Sequence, residues 1–191
     1  MKAFVINLKD RPDRLDGFRS INLPFEVDVI EAVKDEDGSL GCIKSHFECF
    51  KRFGEGVNAI FEDDCLQIND LDIMHNALNE LGGDWDMLYL GAMVHGELNE
   101  NTKHTDKVDS AWTTHAILYN GKRVSDYILT FDPIEVRKSR RNIDTFIVHT
   151  IQKDERFKCY ITNPQIFIQR LNYSDVINDL RDYEWKYGIR L

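Results

Sequence analysis

Apolar and polar positions along the chain follow two different rhythms. Short, nearly continuous apolar runs bounded by polar or turn residues occur at 3–8, 25–31, 58–61, 87–90, 111–119, 157–161 and 165–169. Their length and their β-branched and aromatic content predict strands. Between them lie helical patterns. The clearest spans 40–53, where Leu40, Ile43, Phe47 and Phe50 recur at helical spacing and Cys42, His46, Cys49 and Phe53 widen the same face. Asp37-Gly38-Ser39 supplies a turn and an N-cap for it, and Gly54 and Gly56 follow its end. A second helix is predicted over 68–81, stopped by Gly82-Gly83. Strands alternating with helices predict an α/β fold, with a central, mostly parallel sheet flanked by helices. Neither a repeat, a low-complexity tract nor a Pro/Gly/Ser linker divides the chain, so one domain over 1–191 is expected.

Composition narrows the class without naming it. With 191 residues, 42% hydrophobic and 30% charged, the chain reads as an ordinary globular protein. No apolar run approaches the roughly 20 residues that span a bilayer. The apolar opening is cut off at once by Lys9-Asp10-Arg11, so no signal peptide is expected, and the expected location is cytoplasmic. A net charge of −9 argues against a nucleic-acid partner, which needs a broad basic footprint. Cys42, Cys49, Cys65 and Cys159 lack CxxC spacing and are expected to be reduced, buried thiols, with no zinc site.

Candidate chemistry gathers at two strand ends, where open α/β sheets bind ligands. The run Asn58-Ala59-Ile60-Phe61 ends in Glu62-Asp63-Asp64. Strand alternation puts Glu62 and Asp64 on one face and Asp63 on the other. Two same-facing carboxylates repel unless a cation neutralises them, and oxygen ligands favour Mg²⁺ or Mn²⁺. Such triplets also occur as solvated turns. The first strand runs into Asn7-Leu8-Lys9-Asp10-Arg11-Pro12-Asp13-Arg14. Pro12 suits the first turn of a helix, placing Arg11 at its start and Arg14 one turn on. Two guanidiniums there suit phosphate oxygens, and they equally suit a solvated surface.

Five segments in order resemble glycosyltransferase family 25, the lipopolysaccharide and collagen glycosyltransferases of GT-A fold. Val5-Ile6-Asn7-Leu8-Lys9-Asp10-Arg11-Pro12-Asp13-Arg14 resembles the opening INLxxRxxR element, and Gly41-Cys42-Ile43-Lys44-Ser45-His46 resembles GCxxSH. Ile60-Phe61-Glu62-Asp63-Asp64 resembles LEDD, that family's DxD element, and Asn142-Ile143-Asp144 resembles its downstream acidic position. Pro164-Gln165-Ile166-Phe167-Ile168-Gln169 with Tyr173-Ser174-Asp175-Val176 resembles the closing element. Ser39 stands where the family often has glutamate, and the chain is shorter than most members.

The resemblance implies inverting, metal-dependent transfer of a hexose, galactosyl or glucosyl, from a nucleotide-diphosphate donor, most often UDP-linked. The acceptor would be a hydroxyl of a glycan or glycoprotein. It implies Asp64 and Glu62 as ligands of Mn²⁺ or Mg²⁺, with Asp63 turned away towards ribose or a backbone amide. Asn7, Leu8, Arg11, Arg14, Ser45 and His46 would contact the nucleotide-sugar. Asp144 would be the general base and Asp175 its alternative, though each equally suits a helix N-cap. The basic run Arg137-Lys138-Ser139-Arg140-Arg141 could cover phosphates or an anionic acceptor, or lie solvated. Two other functions compete: a protein that only binds sugar nucleotides or a partner, and a metal-dependent nuclease or phosphoryl transferase.

Overall fold

A computed structural model describes residues 1–95, 97–139 and 141–170, together with the backbone of 172–174 and 179–181. The elements are β1 (Lys2–Asn7), α1 (Pro12–Arg19), β2 (Asp28–Glu31), α2 (Gly38–Phe50), β3 (Val57–Glu62), β4 (Cys65–Gln67) and α3 (Asp72–Leu81). Then come β5 (Met87–Val94), β6 (Asn99–Glu100), β7 (Thr105–Lys107), β8 (Ala111–Asn120), α4 (Arg123–Ile128) and α5 (Pro133–Lys138). Helix α6 (Ile143–Ile147) continues into a π-helical turn, Val148–Gln152, and is followed by β9 (Cys159–Thr162), β10 (Phe167–Gln169), β11 (Asn172–Ser174) and β12 (Asp179–Arg181).

Eight strands form one sheet in the order β2-β1-β3-β8-β5-β9-β7-β6. β1 pairs in parallel with β2 and β3, and β5 pairs in parallel with β9, while β8 runs antiparallel between β3 and β5. β10 pairs with β4 outside this sheet. The mostly parallel, helix-flanked α/β architecture expected from the pattern is therefore present, with β8 and the short β7 reversed.

Both faces of the sheet are buried, which is why its strands read as continuous apolar runs rather than alternating ones. The two-residue period of each strand divides its side chains between two cores. Phe4, Ile60, Tyr89, Ile117 and Tyr119 pack with Ile43, Phe47 and Phe50 of α2 and Phe146 and Ile147 of α6. Val5, Phe61, Leu88, Leu90 and Leu118 pack on the other side with Phe18 of α1, Met74 and Ala77 of α3, and Phe167 of β10.

Several boundaries differ from the sequence pattern: β5 runs on to Val94, and β9 and β10 begin two residues later than expected, at Cys159 and Phe167. Residues 25–27 are not strand, and Phe25 instead stacks on Phe61 with ring centroids 6.4 Å apart. The predicted 68–81 helix starts only at Asp72, because the Ile68 N–H is taken by the Ile166 carbonyl at 2.9 Å beside the β4–β10 pair. Helix α2 ends at Phe50 rather than at residue 53. The helices α4 to α6 span only one or two turns each, too short for a periodic signal. Among the described residues, no helix is long and apolar enough to cross a membrane.

Candidate functional site

The parallel register of β1 on β3 aligns Ile6 with Glu62, so both strands deliver their C-terminal residues to the same edge. There, Asn7 Nδ2 donates to Asp63 Oδ2 at 2.6 Å and to the Arg11 carbonyl at 3.0 Å. Pro12 opens α1 and Arg11 is its N-cap. One turn into that helix, the Arg14 guanidinium donates to Asp63 Oδ1 at 3.3 Å, with both side chains almost fully buried. Arg11 pairs with Asp13 at 3.0 Å.

Helix α2 forms the facing wall. Asp37 caps it by accepting from the N–H groups of Ser39 and Leu40. The Ser45 hydroxyl donates to the Gly41 carbonyl at 2.7 Å and accepts from the Val33 N–H at 2.8 Å, fastening the chain after β2 to the helix. The hydroxyl's proton and one of its two acceptor sites are thereby used, which fixes the orientation of Ser45 in the cavity wall. His46 is fully buried, with Nε2 3.1 Å from Glu62 Oε1, and Thr114 of β8 donates to the same oxygen at 2.6 Å. On the far side, Gln169 of β10 donates to Asp64 Oδ2 at 2.9 Å.

Several of these groups line one cavity of about 420 Å³, within the range of small-molecule sites. Leu8, Arg11, Arg14, Ser45, His46, Glu62, Asp63 and Asp64, all singled out from the sequence, lie on its walls. Asn7 stands behind Asp63. Cys42, Gln169, Lys34 and Asp35 also line the cavity and carried no assignment from the sequence. Gln169 was legible only as part of a motif, and Thr114 had no signal of its own.

The expected alternation of Glu62, Asp63 and Asp64 needs correction. The strand ends at Glu62, and Asp63 and Asp64 lie in the turn before β4, so the two-residue period stops before it can set their faces. Asp63 is not turned away onto a backbone amide; it borders the same cavity, held by Asn7 and Arg14. Asp144 does not line the cavity. It lies inside the first turn of α6, whose N-cap is Asn142, so it is not the cap either. Its carboxylate accepts from the Thr145 N–H at 2.7 Å. Asp175 lies outside the described residues.

Electrostatics separate the carboxylates. Burial opposes charge on Glu62, yet the His46 and Thr114 hydrogen bonds outweigh it and hold its carboxyl below the usual range. Burial raises Asp64 to about 7, and the Glu62 charge adds to this. Asp64 Oδ1 is buried without a hydrogen-bond partner. Burial also raises Asp63, against the pull of Arg14, and raises Asp144, where the Glu62 charge acts in the same direction. An acidic corner of this kind, with one carboxylate oxygen unsatisfied, is the environment that a dication stabilises. The donor set is all oxygen on the Asp64 side, which fits Mg²⁺ or Mn²⁺.

No protein-family model matches the chain, and no curated protein sequence matches it. Among solved structures, the chain is similar to A197 from STIV, with 11% identity over 90% of this chain and 95% of that one, at a TM-score of 0.48. It is also similar to a Drosophila β1,4-galactosyltransferase 7 mutant solved with manganese, UDP-Gal and xylobiose. There the identity is 12% over 95% of this chain and 75% of that one, again with a TM-score of 0.48. At such identities the likeness concerns the course of the backbone and not the chemistry.

Proposed function

We propose that this chain is a metal-dependent, inverting glycosyltransferase of the family 25 type, moving a hexose from a nucleotide-diphosphate donor to an acceptor hydroxyl. The observation that carries the reading is convergence. Motif segments separated by up to about 160 residues in the sequence, from Leu8 to Gln169, supply the walls of a single cavity with an acidic corner. A UDP-sugar is the preferred donor, and a glycan or glycoprotein hydroxyl the acceptor.

In this reading Asp64 and Glu62 hold Mn²⁺ or Mg²⁺, and the unsatisfied Asp64 Oδ1 supports the assignment. The bound ion would supply Lewis acidity towards the departing diphosphate. Arg11 and Arg14 at the N-terminus of α1 offer guanidinium donors to the same phosphates. Asp63, held by Asn7, keeps Arg14 oriented and borders the cavity where it can meet the nucleotide-sugar. Asp144 does not line the cavity, so its role as general base, with Asp175 the alternative, rests on the resemblance and needs the acceptor to reach it. The acceptor oxygen bonds to the anomeric carbon as the bond to the diphosphate breaks, and the hydroxyl proton passes to the carboxylate. Its raised affinity for a proton, caused by burial, suits that task.

The test is a screen of UDP- and GDP-sugars for slow donor hydrolysis in the presence of Mn²⁺. Hydrolysis that Asp64→Ala abolishes supports the reading. Metal-dependent donor binding without turnover, even with acceptors supplied, favours a binding protein, and cleavage of DNA favours a nuclease.

A further inference from the structure

One wall of the cavity carries donor atoms softer than those of the acidic corner. Cys42 and His46 stand four residues apart on α2, so their side chains share a face one turn apart. Glu62 meets them from the end of β3, its Oε1 3.1 Å from His46 Nε2. A thiol sulfur, an imidazole nitrogen and a carboxylate oxygen from these residues all lie within 4.8 Å of one another. Zinc bonds of about 2.0–2.3 Å in tetrahedral geometry set ligands roughly 3.3–3.7 Å apart. The three atoms therefore need shifts of only about an ångström to match a tetrahedral face.

Two more observations point to an ion. His46 is fully buried, yet its Nδ1 has no hydrogen-bond partner. The ring hydrogen-bonds to Glu62 Oε1, an oxygen that Thr114 also holds, so a coordinating ion would take the place of the His46–Glu62 bond while Thr114 keeps the carboxylate in position. Cys42 and Glu62 are only partly buried and face the cavity, which leaves the fourth position open to water or a ligand, as in catalytic zinc sites.

We propose that Cys42, His46 and Glu62 form a binding site for a thiophilic divalent cation of the zinc class. Sulfur, nitrogen and oxygen each bond to the ion, and the Cys42 proton leaves to solvent. Thiolate and imidazole favour zinc over magnesium or manganese. The absence of CxxC spacing concealed the site, because two ligands come from one helix and the third from a strand end 16 residues on. Since Glu62 belongs to both donor sets, zinc bound here removes it from the acidic corner and opposes manganese. That consequence rests on the transferase reading, whereas the binding itself does not.

The experiment is a Co²⁺ titration of the tag-free, metal-stripped chain, followed in the near ultraviolet, where thiolate-to-cobalt charge transfer reports a bound sulfur. A saturating band that stoichiometric zinc displaces is expected. Cys42→Ser should abolish it, His46→Ala should weaken Co²⁺ binding at least tenfold, and Cys49→Ser, on the same helix, should leave it unchanged. Zinc-edge X-ray absorption of the unmodified chain tests the same point without a variant: one sulfur among nitrogen and oxygen neighbours is expected. Absence of the band, its persistence in Cys42→Ser, or a zinc shell without sulfur overturns the proposal. Failure of donor hydrolysis alongside an intact zinc site would sink the transferase reading alone.

Discussion

At the scale of single residues, Asp64 and His115 make opposite demands on pH. The Asp64 carboxyl, near 3.9 in an unfolded chain, stands at about 7 when folded, chiefly through burial. Its folded pKa is the higher, so ionisation costs stability from about pH 4 upwards, and the cost is complete above about pH 7. Without metal that cost has a ceiling of about 4 kcal/mol. Asp64→Asn should therefore raise the metal-free Tm at pH 8 and lose the Tm increase that manganese gives the wild type. An equal manganese-induced shift in both proteins would detach the ion from Asp64. His115, fully buried, is pushed down to about 4 by burial. Its folded pKa lies below the unfolded value of about 6.5, so stability is full above that pH and falls as pH drops towards 4, by about 3 kcal/mol. Urea titrations at pH 7 and pH 4.5 should show this loss in the wild type and a much smaller one in His115→Gln. The acidic triplet and Arg11 and Arg14 were legible because charged residues at strand ends stand out against apolar runs. Gln169 and Thr114 were not, since only a neighbour brought by the fold, Asp64 or Glu62, gives them a role.

At the scale of elements, α2 is the wall whose placement decides the cavity. Its N-cap was visible in Asp37-Gly38-Ser39, and the Asp37 side chain does accept two of the otherwise orphaned N–H groups. Asp37→Ala should cost about 1 kcal/mol in urea denaturation. Its pairing with Arg137 adds little, because both side chains are substantially solvated. Gly41 lets the helix approach the chain after β2: a Cβ there would lie 2.6 Å from the Val33 carbonyl oxygen. Backbone cannot swing aside as a side chain can. Gly41→Ala should destabilise by about 1–3 kcal/mol and weaken binding of UDP with Mn²⁺, measured by calorimetry. Wild-type affinity in that variant would show that the α2 wall does not shape the site. The sequence pattern marked this helix by its four-residue apolar recurrence, but not its closeness to residue 33, which is a contact between non-consecutive segments.

At the scale of the whole molecule, the chain from Gln165 to Gln169 crosses β5 and carries Gln169 to Asp64. The Ile166 N–H donates to the Leu90 carbonyl at 2.7 Å, and the Ala92 N–H donates to Gln165 Oε1 at 2.9 Å. A Cβ on Gly91 would lie 1.8 Å from the Phe167 carbonyl, so Gly91→Ala must separate the strap from the sheet. More than about 3 kcal/mol should be lost, and a wild-type urea midpoint would contradict this packing. What the sequence determined by itself was local: which segments are apolar enough to be strands, where α2 starts, and which charged residues follow β1 and β3. Period and capping depend on near neighbours in the chain, so they can be read one segment at a time. Only the tertiary structure decided that Asp63 shares the cavity with Glu62 and Asp64, that Asp144 stands back from it, and that Cys42 and His46 meet Glu62. Those outcomes depend on strand register, on where β3 gives way to a turn, and on helix-to-sheet packing, all set by contacts between residues far apart in the chain.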